Sequence, residues 1–181
     1  MPDTFGHFTG LTALQLTGNA IGGTVPKSVG QFTALQSLQI DNNRFTGPLP
    51  DIFDSLSKLT TLAVFANKLT ASIPTSVYKL HNLINLNVDG NSLSGSISAD
   101  IASLTSVIDM TLNDNKFSGP ITAAFDQLAH LEGLMLNNND FSGVLPQLHF
   151  AHFDNFCDFS GNNFTCPLPQ GAKAKCNAVC K

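Results

Sequence analysis

The chain has no tryptophan, one tyrosine and few charges: nine Lys and Arg against thirteen Asp and Glu in 181 residues, a formal net charge of −4. It has no basic run, which excludes a nucleic-acid surface, because phosphate contact needs clustered positive charge. Its charged fraction of 12% against 43% apolar residues also excludes a charge-rich disordered polypeptide, so a packed core is within reach. No apolar run approaches the roughly 18 residues that a membrane span needs, and the first residues lack the charged-then-apolar pattern of a signal peptide. Catalytic motifs are missing as well. There is no Gly-rich phosphate loop, nucleophile elbow or His-Glu-x2-His, so no enzymatic activity, cofactor or metal is expected. What the chain has in abundance is 17 Asn, 15 Ser and 15 Thr. These short, uncharged hydrogen-bonding residues fit many turns better than long helices.

The Asn residues are periodic. They recur at 19, 43, 67, 91, 115 and 139 in steps of 24, then at 162 after a step of 23. With this Asn content, such a series would arise by accident about once in a million chains, so the period belongs to the fold. Each Asn sits in one frame, seen as Leu11-x2-Leu14-x-Leu16-x2-Asn19-x-Ile21 and again as Leu35-x2-Leu38-x-Ile40-x2-Asn43-x-Phe45. Positions one repeat apart stay apolar: 14/38/62/86/110/134 reads Leu, Leu, Leu, Leu, Met, Leu, and 21/45/69/93/117/141 reads Ile, Phe, Leu, Leu, Phe, Phe. No single unit can bury such a face, so coil must stack on coil. Alternation such as Leu14-Gln15-Leu16-Thr17 has strand period, and coils that all run the same way pair in parallel, which predicts one parallel sheet on one face. The recurrent Asn is expected where the chain leaves the strand, its amide bonding backbone groups of the adjoining coil.

The second half of each unit, Phe45-Thr46-Gly47-x-Leu49-Pro50, Leu93-Ser94-Gly95-x-Ile97, Phe117-Ser118-Gly119-x-Ile121 and Phe141-Ser142-Gly143-x-Leu145-Pro146, resembles the 24-residue leucine-rich repeat of plant extracellular proteins. Ala71 replaces the Gly of that pattern, and Ser98 and Thr122 replace the Pro. The resemblance implies an α/β repeat solenoid, a curved right-handed coil with a parallel sheet on its concave face and short 3-10 or irregular segments on its convex face. About seven coils are expected over residues 1–170, overlapped by a cysteine-bearing C-terminal cap at 157–181. It further implies a secreted or cell-surface recognition module similar in architecture to polygalacturonase inhibitors and receptor-kinase ectodomains, with a protein, peptide or glycan partner. Met1-Pro2-x2-Phe5-Gly6 aligns with Val25-Pro26-x2-Val29-Gly30. The chain is therefore expected to start inside a repeat, its open end covered by further repeats or by another chain.

All four cysteines, Cys157, Cys166, Cys176 and Cys180, lie in the last 25 residues. An even, clustered count predicts two disulfides and an oxidising compartment. Three pairings are open; those joining Cys176 and Cys180 back to Cys157 and Cys166 would hold the tail over the last coil. Zinc is disfavoured by the spacing. His149 and His152 are read as residues of the long final connection. Asn163-Phe164-Thr165 is a glycosylation match that agrees with secretion.

In a parallel coil the outward side chains of the strands form the surface open to a partner. These positions hold Gln39, Asp41, Phe65, Asn87, Asp89, Asp109, Thr111, Asn113, Asp114 and Met135, together with Asp158, and no Lys or Arg. The face is acidic and suits a basic or polyhydroxylated partner, with Phe65 as an exposed aromatic anchor. Its projected area is about 470 Å² for seven strands at about 4.8 Å spacing. That is less than the roughly 800 Å² each partner gives to a standard interface. A second reading comes from the hydroxyl column Thr46, Thr70, Ser94, Ser118, Ser142, Thr165, whose coil-spaced repetition is that of an ice-binding face.

Overall fold

The computed structural model describes residues 8–181, so the expected mid-repeat start at Met1 lies outside the described residues. Its frame is a seven-stranded parallel sheet of three-residue strands: β1 (Ala13–Gln15), β3 (Ser37–Gln39), β5 (Thr61–Ala63), β7 (Asn85–Asn87), β9 (Asp109–Thr111), β11 (Gly133–Met135) and β13 (Phe156–Asp158). The register equals the sequence period, pairing Leu14 with Leu38 and Leu62 with Leu86. The last step is one residue shorter, placing Gly133 beside Phe156.

A second parallel sheet, absent from the sequence reading, forms after the Asn turn. Its strands are β2 (Gly22–Gly23), β4 (Arg44–Pro48), β6 (Lys68–Ala71), β8 (Ser92–Gly95), β10 (Lys116–Gly119), β12 (Asp140–Val144) and β14 (Asn163–Thr165). The segments of Gly and Pro that punctuate each repeat hide it, because both residue types are depleted in strands. Stacking nonetheless sets identical segments side by side, and their backbone groups pair. Short 3-10 turns such as Thr75–Lys79 and Ala99–Ser103 close each coil on the third side. Between these sides one continuous core buries Phe32, Phe45, Phe53, Phe117, Phe141, Phe159 and Phe164 together with the Leu and Ile columns.

The Asn ladder does what its period implies. Asn67 Nδ2 donates to the carbonyls of Ile40, Val64 and Phe65 at 3.1, 3.1 and 3.2 Å, while its Oδ1 accepts from the Phe45 N–H of the preceding coil at 2.9 Å. Asn43, Asn91, Asn115, Asn139 and Asn162 repeat the arrangement. The residue just before each ladder Asn is left-handed: Gly18, Asn42, Ala66, Gly90, Asp114, Asn138 and Gly161 have φ between 49° and 72°. This explains the Gly, Asn and Asp of that column, since these types tolerate positive φ. Asp114 is therefore there for its backbone as well as its charge.

At the C-terminus Cys157 is bonded to Cys176 and Cys166 to Cys180, the pairings that tie the tail to the last coil. The helix α1 (Ala172–Cys176) lies against that coil with Ala172, Cys176 and Ala178 buried, and Phe159 N–H donates to the Cys176 carbonyl at 2.7 Å. Among the described residues no helix is long and apolar enough to cross a membrane.

Candidate functional site

Strand alternation turns Leu14, Leu38, Leu62, Leu86, Met110 and Leu134 into the core and their neighbours outward. Two outward rows cross the first sheet, Ala13, Ser37, Thr61, Asn85, Asp109, Gly133, Phe156 and Gln15, Gln39, Ala63, Asn87, Thr111, Met135, Asp158. A third row, Thr17, Asp41, Phe65, Asp89, Asn113, Asn137, Ser160, follows where the strands end. The predicted residues Gln39, Asn87, Asp109, Thr111 and Met135 are thus brought onto one face. No strand of this sheet carries Lys or Arg.

Two expectations change on inspection of the third row. Asp41 is buried, accepting hydrogen bonds from Thr17 Oγ1 at 2.9 Å and Asn42 Nδ2 at 3.0 Å, so its carboxylate is already engaged within the protein. Phe65, expected to stand out as an anchor, is half-buried, with Asp41 and Asp89 on either side of it in the row, so only part of its ring can meet a partner. Asp89 is half-buried too; burial pushes its carboxyl above the usual range and the nearby Asp114 pushes it further in the same direction. Asp114 accepts from Asn113 Nδ2 at 2.6 Å and from Asn138 Nδ2 at 2.8 Å, which fixes it at the rim.

The most enclosed part of the face involves a residue that reading down the repeats did not single out. Phe156 occupies the position equivalent to Gly133 one coil on, and its ring lies across Gly133: a Cβ built there would stand 2.5 and 2.7 Å from ring atoms and would overlap the Asp109 carboxylate. The missing side chain of Gly133 is what lets this ring come so close. Asn155, next to Phe156, reaches two coils back and donates to Asp109 Oδ1 at 3.0 Å. The signal for Phe156 was available in the shortened last period, which moves its column by one residue.

On the second sheet the hydroxyl column is present, with Thr46, Thr70 and Thr165 exposed and Ser94, Ser118 and Ser142 half-buried. The register staggers the strands by two residues, setting Thr46 opposite Lys68, Ser94 opposite Lys116 and Ser118 opposite Asp140. Three of the hydroxyls therefore face a charged residue, while Thr70 faces Ser92 and Ser142 faces Asn163. His149 precedes and His152 ends a 3-10 turn (Phe150–His152), their rings stacked at 5.3 Å, with His149 Nδ1 2.6 Å from Asp126 Oδ1.

Comparison with known proteins places this geometry. A leucine-rich repeat family model matches residues 33–93. The plant peptide hormone receptor RGFR1 in complex with RGF2 superposes with a TM-score of 0.85 at 35% identity over 91% of this chain and 27% of that one. A chain of the BIR3–SERK2 complex from Arabidopsis thaliana matches at 30% identity over 88% of this chain and 72% of that one, TM-score 0.60. A plant ice-binding protein shares the fold, with a TM-score of 0.68 at 24% identity over 95% of this chain and 71% of that one. No curated protein matches the sequence. The chain belongs to the leucine-rich repeat family, of the plant extracellular type. It spans less than a third of the larger receptor ectodomains it matches.

Proposed function

We propose that this chain is a non-catalytic extracellular recognition module whose concave face binds an extended peptide or protein segment. The observation that carries this reading is the face itself: two rows of outward side chains without a single cation, a half-buried aromatic at Phe65, a second at Phe156, and the Asn85 amide, which has no side-chain partner among the described residues. Unpaired polar groups beside apolar surface are what a ligand's backbone and side chains satisfy on binding. The receptor neighbour solved with its peptide ligand supports the same use of the fold. A glycan is the alternative partner for such a face. The two disulfides and the exposed Asn163 on β14, within its glycosylation match, support an oxidising, extracellular setting.

The test is selection from a displayed library of random 12-residue peptides, followed by Phe65→Ala and Asp89→Lys on the concave face and Lys79→Glu on a 3-10 turn. Selected peptides are expected to lose binding with the first two and keep it with the third. Retained binding to both concave variants places the site elsewhere.

The hydroxyl column supports ice binding as a second reading, because it sets one hydroxyl on each of six successive strands of the second sheet. The interleaved Arg44, Lys68, Lys116 and Asp140 count against it, being strongly hydrated. Thermal hysteresis that disappears in Thr70→Lys would establish it over peptide recognition.

A further inference from the structure

A pocket of about 320 Å³ opens on the concave sheet between β5 and β13, lined by Ala63, Asn85, Asn87, Asp109, Thr111 and Phe156. Its walls differ in kind. One is the Phe156 ring, whose outer end lies over Gly133. The opposite side holds the amides of Asn85 and Asn87, and the carboxylate of Asp109 stands at the edge nearest the ring. Ala63 leaves the floor low where neighbouring coils carry Gln15, Gln39 and Asn87.

The hydrogen-bonding capacity of this pocket is largely unused. Asp109 receives one bond, from Asn155 Nδ2 to Oδ1, which steadies the carboxylate and leaves Oδ2 open. Asn85 makes no side-chain hydrogen bond among the described residues. Asn87 Oδ1 accepts from the Asp89 N–H at 3.2 Å. Thus a carboxylate oxygen and an amide oxygen stand beside an aromatic ring, in a surface whose other ionisable groups, Asp41, Asp89, Asp114 and Asp158, are acids.

We propose that this pocket takes the guanidinium of an arginine side chain in the peptide ligand, its plane against Phe156 and its N–H groups shared between Asp109 Oδ2 and the open amide oxygen of Asn85. The proposal rests on the reading of the concave face as a peptide site. A guanidinium fits because it is planar, carries five donors and no acceptor, stacks on aromatic rings, and sheds water more readily than an ammonium. The absence of any Lys or Arg from the sheet's strands removes competition from within the protein. A sugar ring also stacks on aromatics, but it would leave the carboxylate charge unmatched.

The test uses the whole chain, labelled with nitrogen-15, and two capped pentapeptides, acetyl-Gly-Ser-Arg-Ser-Gly-amide and its twin with neutral citrulline in place of Arg. Titration is followed through the amide signals of β7, β9 and β11. The Arg peptide is expected to bind about tenfold more tightly than its twin, the loss expected when a hydrogen bond to a charged group becomes neutral. Asp109→Asn, which still offers Asn155 an acceptor, should abolish that preference, and Phe156→Leu should reduce it with the far-UV circular dichroism unchanged. Equal binding of the twins, no binding of either, an Arg preference that survives Asp109→Asn, or neutral cellotetraose shifting these amides in their place each overturns the proposal. The broader reading is judged separately by the library-selected peptides. If those shift the concave amides regardless of charge, the face binds peptide and the pocket assignment alone fails; if they shift only amides elsewhere, both fail.

Discussion

Replacing Asn67 by Ala removes four hydrogen bonds, yet the structure shows that they are not equivalent. The Ile40 carbonyl keeps Asn43 Nδ2 at 3.0 Å, the Val64 carbonyl keeps Asn91 Nδ2 at 3.1 Å, and the Phe65 carbonyl keeps the Asn42 N–H at 3.0 Å. Only the Phe45 N–H, beneath a fully buried side chain, loses its sole acceptor. One orphaned buried donor costs about 1–3 kcal/mol, and the three weakened carbonyls add a fraction each, so the expected loss is about 2–4 kcal/mol. Asn19 is the internal control. It occupies the same ladder position but is exposed and, among the described residues, bonds only within its own turn, to the carbonyls of Leu16 and Thr17. Asn19→Ala should cost under about 1 kcal/mol. Urea unfolding followed by far-UV circular dichroism suits a protein without tryptophan, comparing midpoints at constant slope. Equal losses for the two variants would refute the claim that the ladder acts by satisfying the adjoining coil rather than by shaping its own turn.

Three further outcomes follow from particular contacts. Gly133→Ala should tip the Phe156 ring off the sheet and close the pocket, seen as changed ring-proton shifts of Phe156, with stability altered by about 1 kcal/mol or less because the ring's outer edge is the part displaced. Non-reducing peptide mapping should recover Cys157 with Cys176 and Cys166 with Cys180, and replacing either pair by Ser should cost about 2–4 kcal/mol. Asp89 has a raised carboxyl pKa in the fold from burial and Asp114, so the folded state binds its proton more tightly than the unfolded chain does and its ionisation is destabilising. Asp89→Asn should therefore be the more stable protein at neutral pH. That advantage should shrink as pH falls through the raised pKa; an advantage independent of pH would show that charge is not its cause.

Much of the architecture was legible because a repeat states its own geometry many times. The spacing of Asn43, Asn67 and Asn91 implied equal coils, and equal coils stacked in one direction can pair only in parallel, so the first sheet, its register and its inward Leu columns could be read from composition and period. The disulfide cap was legible in part: the cysteine count implied two bridges, and the pairing was one of three until the tail was seen folded back on β13 and β14. The second sheet was not legible, because its pairing arises from stacking and its Gly and Pro residues carry no strand signal. The columns locate which side chains face outward, and they did so for Asn87, Asp109, Thr111 and Met135.

What a column cannot express is how far a side chain reaches across its neighbours. Asp41 falls in the outward set but turns to Thr17 and Asn42, and Phe65 is outward by alternation and half-covered by packing. Phe156, shifted by the 23-residue last step, lies over Gly133 and meets Asp109 only because two adjacent coils leave room for a ring between them. Period and alternation are properties of the backbone and so were set by the sequence alone. The reach of a side chain depends on the volumes beside it in space, which the stacked coils determine.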